Sequence, residues 1–296
     1  MLLVKYSEIL LKGRMTRIIL ERMLERNVGS ALSGCSFSLS RAGGVFVIES
    51  DNDEECAARL RKVFGVVYIS VCDVVPARID NIVEKCVEIG RKFKKGSSFA
   101  IRARRVGEHD FSSKEICVEA GSRVLQIKNK KLKVDLEEPD EEIFVDVRGK
   151  RAFISRKNIR TCDGMPLGSQ GKVVAIVDDM DSYLAAWLMM RRGCELIAVC
   201  ASQKGRRLAE KLEEWHIGRK MEVHDLSSRD SNMKREQLFK EAGRLVREKG
   251  ALGVVSGESL CRGQKLAELA ELDAAAGVPV YRPLILLRDA REMVVA

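Results

Sequence analysis

Residues 171–193 read GKVVAIVDDMDSYLAAWLMMRRG, and this stretch decides the fold. Residues 173–177 are continuously apolar, the mark of a strand buried on both faces. A polar turn follows, and then apolar positions at helical spacing run to a terminating glycine, Gly193. A buried strand feeding a helix is half of a βαβ unit. Turns of this kind that cradle phosphate place glycine between strand and helix, so that backbone N–H groups and the helix N-terminus face the anion. Here Asp178 and Asp179 stand in that place.

Working outward, the same alternation continues toward the C-terminus. Strands are expected at 173–177, 195–200, 221–224, 252–256 and 278–281, with helices between them. That order predicts an open parallel sheet with helices on both faces. Ligands of such sheets sit at the carboxyl ends of the strands, which gathers residues 177–182, 200–203 and 256–259 around one crevice. On the other side, residues 160–171 (RTCDGMPLGSQG) hold three glycines and a proline without periodicity and read as a linker. Upstream, residues 1–50 read as strand, helix, strand, and a short helix is expected over 54–64. A second α/β unit follows: a strand over 66–75, a helix over 79–93, a strand over 98–106, a helix over 112–129, and strands over 131–136 and 142–155. The helix at 112 opens with a capping box, Ser112 to Glu115.

Composition narrows the function class. The formal net charge is +9, and residues 71–160 supply most of it, with 21 Lys and Arg against 15 Asp and Glu. A basic middle third points to a polyanion, most simply nucleic acid. The nine cysteines include no C-x-x-C pair and the three histidines do not cluster, which is the pattern of reduced, mostly buried thiols rather than of a metal site. Apolar runs are far too short to span a bilayer, and charges interrupt the apolar N-terminus, so a soluble cytoplasmic protein is expected. A dinucleotide-dependent oxidoreductase is disfavoured, because no G-x-G-x-x-G follows an expected strand.

Five segments, KYSEILLKG near the N-terminus, GMPLGSQGKVV in the linker, DSYLAAWLMMRRG, VVSGESL and VPVYRPLI, occur in the order seen in the tRNA 4-thiouridine synthetase family, and the chain resembles that family over nearly its whole length. The resemblance implies an α/β protein with three parts. They are a ferredoxin-like domain at 1–52, a THUMP RNA-binding domain at 53–160 and, after a linker at 161–171, a pyrophosphatase-type (PP-loop) ATP-binding domain at 172–296. It also implies tRNA as partner, ATP with magnesium as cosubstrate, and an ATP-dependent sulfurtransferase that adenylates a uridine and replaces its oxygen with sulfur. Some members also supply sulfur for thiamine thiazole.

Within that resemblance, FAIRARRVGEHDFSSKE looks like the THUMP signature. The RNA-binding candidates are Arg102, Arg104, Arg105, His109, Lys114, Arg156, Lys157 and Arg160. Arg102 and Arg104 alternate on a strand and share one face, while Arg105 points to the other. Arg151 decorates the last strand. Aromatic residues are sparse among these, which favours recognition of phosphate and shape over stacking.

The family's S-G-G-x-D-S loop aligns with Val177, Asp178, Asp179, Met180, Asp181 and Ser182, of which only the last two match. A non-glycine residue at positive φ costs about 1 kcal/mol or more. A carboxylate ~4 Å from a phosphate charge is repelled by about 4 kcal/mol at an effective dielectric of ~20. The plain expectation is an ordinary turn in which aspartates cap the helix. The alternative is that Asp178, Asp179 and Asp181 hold magnesium that bridges to phosphates. Other nucleotide contacts fall on Ala175, Ile176, Asp181, Ser182, Cys200, Ala201, Arg235 and Gly257, with Glu258 beside the last. The family's glutamine run has no clean match in CRGQKLAELAE, and SRDSNMKRE lacks the C-x-x-C of some archaeal members. Asp181, Cys200 and Cys261 are the catalytic candidates, and an external sulfur-donor protein is implied. Two readings stand side by side: an ATP-dependent tRNA sulfurtransferase, and a homologue that binds tRNA without ATP-dependent chemistry, as partner of an active relative. Oligomeric state is left open, a homodimer included.

Overall fold

The structure is a computed structural model that describes residues 1–6, 8–227 and 234–287. In chain order the elements begin β1 (Leu2–Lys5), α1 (Arg14–Ala31), β2 (Phe37–Arg41), β3 (Val45–Ser50), α2 (Asp53–Leu60), β4 (Tyr68–Val71) and β5 (Asp73–Pro76). They continue with α3 (Ile79–Gly90), β6 (Ser98–Val106), α4 (Ser113–Leu125), β7 (Lys133–Val134), β8 (Glu141–Arg148), β9 (Arg151–Ser155) and β10 (Ile159–Arg160). The last third holds β11 (Lys172–Ile176), α5 (Met180–Arg191), β12 (Glu195–Cys200), α6 (Gln203–Glu213), β13 (Glu222–Asp225), α7 (Arg235–Lys249), β14 (Val254–Val255), α8 (Leu266–Ala276) and β15 (Val280–Tyr281).

The chain forms two compact units, and both draw on the N-terminal segment. One comprises Met1–Tyr6, Gly34–Ala58 and Tyr68–Arg160; the other comprises Ser7–Ser33, Arg59–Val67 and Thr161–Ala296. The first unit holds two five-stranded sheets, ordered β10-β4-β1-β3-β2 and β5-β9-β8-β6-β7. The expected single strand over 66–75 is in fact two. It breaks at Cys72, where Cys72 N donates to Met1 O at 2.8 Å, and β4 pairs with β1 while β5 pairs with β9. Backbone that changes sheets while staying extended leaves no mark in a hydrophobic pattern. Strand β2, not expected from sequence, is an edge strand paired with β3, and its Ser38 and Ser40 alternate with Phe37 and Leu39. Helices α3 and α4 cover one face of the second sheet around Ile82, Cys86, Phe93, Phe99, Ile116 and Ile143. The capping box forms as the sequence predicts: Glu115 N donates to Ser112 Oγ at 3.1 Å, and Ser112 N donates to Glu115 Oε2 at 2.6 Å.

The second unit is built on an all-parallel sheet ordered β13-β12-β11-β14-β15. Along β11 and the residue after it, Val173, Ala175 and Val177 pack with α5 and α6, whereas Val174 and Ile176 pack with α7 and α8. That alternation is why residues 173–177 are apolar throughout. The order reverses between β11 and β14, so the crevice for a ligand opens beyond their carboxyl ends. Among the described residues, no helix is long and apolar enough to cross a membrane.

Candidate functional site

A cavity of 340 Å³ opens at that switch point in the second unit. Its walls come from the β11–α5 turn, the β12–α6 turn, the start of α7 and the loop after β14, and Ile176, Leu238 and Phe239 supply an apolar side. Gly257 is required by packing: a Cβ there would collide with Ser182 N and sit 2.6 Å from the Asp181 carbonyl carbon. The loop after β14 therefore lies directly on the N-terminus of α5.

The turn itself is internally satisfied. Asp179 is the N-cap of α5, with extended φ −145°, and no strained left-handed residue occurs at 178–179. The conformational cost expected for aspartates in a glycine loop is thus avoided, because the turn has taken another shape. Ser182 N donates to Asp179 Oδ1 at 2.8 Å, while Asp178 N and Asp179 N both donate to Ser182 Oγ, at 3.0 and 2.9 Å. Asp178 turns the other way: its Oδ1 accepts from Ala201 N and from Ser202 Oγ, each at 3.0 Å. Burial pushes the Asp178 carboxyl above the usual carboxylate range, partly opposed by those donors. Asp181 pairs with Arg262. The three aspartates named as a metal-holding alternative therefore serve three separate partners, and among the described residues no cluster of three His, Cys, Asp or Glu side chains is arranged to hold a metal ion.

Arg235 reaches into the cavity and pairs with buried Glu258, which also accepts from Ser256 Oγ and from Arg282 Nε at 3.2 Å. Gln264 closes the same loop by accepting from Ser259 N at 2.6 Å. Ser202 and Ser256 line the cavity within the stretches 200–203 and 256–259 expected there, whereas Arg262 and Gln264 were not expected; they come from a loop whose course only the fold sets. Ala201 and Ile176 line it, and Ala175 lies behind them in the core. Cys200 is fully buried, and burial, with Asp225 and Asp178 nearby, pushes its thiol up to about 12, the reverse of activation. Cys261 is exposed on the short turn Leu260–Arg262. The cysteine-free SRDSNMKRE segment lies largely outside the described residues.

In the first unit, the basic candidates separate into two groups. Arg102 pairs with Glu142 at 3.0 Å and donates to Leu136 O at 2.7 Å; Arg156 pairs with Glu141 at 2.8 Å, and Arg151 with Glu49 at 3.0 Å. These guanidiniums are tied into the sheet surface. By contrast, Arg104, Lys114 and Lys157 are exposed and, among the described residues, have no ion-pair partner, and Arg160 ends the edge strand β10. An open hollow of 530 Å³ forms where the β5–α3, β6–α4 and β8–β9 loops meet at one end of the sheet. His109 stands in it, its ring tilted against Phe111 at 5.5 Å between centroids, and its Nε2 lies 2.7 Å from Gly149 O. Arg105 braces the same loop by donating to Gly107 O at 3.0 Å. Arg78 and Lys150 join this hollow, two exposed cations far apart in sequence that the reading of motifs passed over.

Three family models match the chain, the first of them across segments of both compact units. Residues 1–70 match the ThiI ferredoxin-like domain, 76–156 the THUMP domain and 168–230 the Thiamine biosynthesis protein (ThiI) family. A probable tRNA sulfurtransferase of Methanosarcina mazei is 31% identical over 96% of this chain and 78% of its own. The chain belongs to the tRNA sulfurtransferase family. A second probable tRNA sulfurtransferase, of Thermococcus kodakarensis, is 32% identical over 99% of this chain and 85% of its own. Among solved structures, a Pyrococcus horikoshii protein superposes with a TM-score of 0.82 at 29% identity, covering 99% of this chain and 96% of that one. A 4-thiouridine synthetase–RNA complex with bound ATP superposes at 0.79 and 25% identity, covering 99% and 82%. Against that family background, the turn of this sulfurtransferase homologue does not fit a phosphate as it stands. The N–H groups of residues 178, 179 and 182 are taken by its own side chains, and the Asp179 carboxylate already caps the helix.

Proposed function

We propose that this member of the tRNA sulfurtransferase family binds tRNA through the loop end of its first unit and does not itself carry out ATP-dependent chemistry. It would then act beside an active relative. The observation that carries this reading is the filled turn: three N–H groups that an anion would need are satisfied internally, and two carboxylates flank the place. Tethered side-chain acceptors compete with any phosphate at a large entropic advantage. Support for the tRNA partner comes from the THUMP match and from the exposed cations Arg104, Lys114 and Lys157 of the first unit; the hollow beside His109 sets Arg78 and Lys150 against Glu108 and Asp110.

A second reading, an ATP-dependent sulfurtransferase that forms 4-thiouridine, is favoured by the cavity, which keeps two arginines, Arg235 and Arg262, beside the turn. Calorimetry separates the two. The native chain should bind magnesium–ATP poorly, at least tenfold more weakly than a Val177→Ser, Asp178→Gly, Asp179→Gly variant, a difference of about 1.4 kcal/mol or more. Native binding as tight as the variant's would overturn the first reading and favour the second.

A further inference from the structure

Helix α1 in the second unit keeps one face outside the packing of the described residues. Its inner face is buried through Leu20, Leu24 and Val28. On the opposite side Met15 and Ile19 stand 71% and 57% exposed, and Leu11, in the short turn ahead of the helix, is exposed as well. Further along the same face come Arg22 and Arg26, both exposed and, among the described residues, without an ion-pair partner. The face ends at Gly29, half-buried, where an added Cβ would meet nothing within 4 Å. Glycine inside a helix lowers stability relative to alanine, and the chain's own packing does not require it here. Positions 15, 19, 22, 26 and 29 are spaced by four, three, four and three residues, the period of a seam that receives a second helix. The seam runs about 21 Å along the helix axis. The acids of α1 lie off it: Glu21 is buried and pairs with Arg17 at 2.8 Å, and Glu25 is half-buried.

We propose that this face docks an acidic amphipathic helix of a partner protein. The apolar half, Met15 and Ile19, takes the apolar side chains of that helix. Arg22 and Arg26 pair with two of its carboxylates one turn apart, and the bare backbone at Gly29 lets it approach closely. Other occupants fit less well. A second copy of this chain is not complementary: a parallel two-fold pairing sets Arg22 and Arg26 against their own copies, and an antiparallel one centred on Arg22 sets Ile19 on Arg26. An anionic lipid surface takes helices whose cations flank an apolar face, whereas these arginines occupy the middle of the face. Nucleic acid would use the arginines and leave Met15 and Ile19 in water. The face is part of neither the cavity at the switch point nor the basic hollow, so the proposal stands whether or not the chain binds ATP.

The test uses the full-length chain and two labelled helical peptides. Their seam positions read Leu, Leu, Glu, Glu in one and the reverse order in the other, so that both helix directions are presented. One of them should bind the native chain, measured by fluorescence anisotropy. Binding should weaken about tenfold or more in a Met15→Ser, Ile19→Ser variant and likewise in an Arg22→Glu, Arg26→Glu variant. Against the latter, the same peptide with lysine in place of glutamate should recover most of the affinity, as a charge pair requires and a misfolded variant would not allow. Gly29→Ala should raise the thermal midpoint yet weaken the peptide, which separates docking from folding. Failure of both peptides to bind, equal binding of the lysine peptide to the native chain, or affinity unmoved by the seam variants would overturn the proposal. So would dimerisation, binding to phosphatidylglycerol vesicles or tRNA affinity that either double variant loses, since the face would then belong to a second copy, a lipid surface or RNA.

Discussion

Asp178 shows how one substitution changes a turn. Where a glycine would leave N–H groups open, its carboxylate reaches across to Ala201 N and Ser202 Oγ and so tethers the β12–α6 connection to the end of β11. Gly205, one turn into α6, makes the approach feasible, since a Cβ there would lie 2.5 Å from Asp178 Oδ1. Because burial raises this carboxyl, the folded state binds its proton more tightly than the unfolded chain. The sign follows by linkage: stability from this group is fullest below the unfolded value and falls as pH rises through the folded one. Asp178→Asn keeps the accepting oxygen and removes the charge. It should raise the thermal midpoint at neutral pH, with the gain shrinking toward acid where the native carboxyl is itself neutral. A gain that persists unchanged in acid would mean that charge burial is not the cause.

Among elements, the α7–α8 pair is the tightest test of packing. A Cβ on Gly243 in α7 would collide with Ala276 O and come within 2.8 Å of its carbonyl carbon. Those atoms are backbone at the end of α8, held by the Gly277 N to Asp273 O bond at 3.0 Å, so little can yield. Gly→Ala inside a helix gains about 1 kcal/mol in propensity, but overpacking of this kind costs about 1–3 kcal/mol. Gly243→Ala is therefore expected to destabilise on balance, by up to about 2 kcal/mol, measured by denaturant unfolding. Stabilisation would show that the helices separate freely. Gly121 in α4, half-buried but with open space where a Cβ would go, is the control that should gain stability on the same change.

For the whole molecule, charge and surface decide the partner. The excess positive charge of residues 71–160 is presented by a unit in which some cations are already paired and others are free. Phosphate binding should depend on the free ones. Changing Arg104, Lys114 and Lys150 together to alanine should weaken tRNA binding and flatten the log–log salt slope by about 2 to 3, one counterion release per lost contact. Changing Arg102 and Arg156, held by Glu142 and Glu141, should flatten it less. Equal effects, or none, measured by filter binding across a salt series would place the RNA surface elsewhere.

Sequence alone determined the parallel sheet, because burial on both faces forces residues 173–177 to be apolar, and it determined the family, because five ordered segments carry it. It also predicted the Ser112–Glu115 capping box, a purely local device. Tertiary structure decided the rest. The break at Cys72, the edge strand β2 and the allotment of α1 to the second unit depend on which surfaces meet, and no residue pattern encodes that. Aspartates at 178 and 179 were legible as an obstacle to phosphate, and the expected helix cap is there in Asp179; the partners of Asp178 and Asp181 were not legible. Where the Asp178 and Asp181 carboxylates turn depended on where Ala201, Ser202 and Arg262 lie. The cap is local, one helical turn of α5, but Ala201 and Ser202 on one side and Arg262 on the other come from two distant loops, brought within reach only when the sheet is folded.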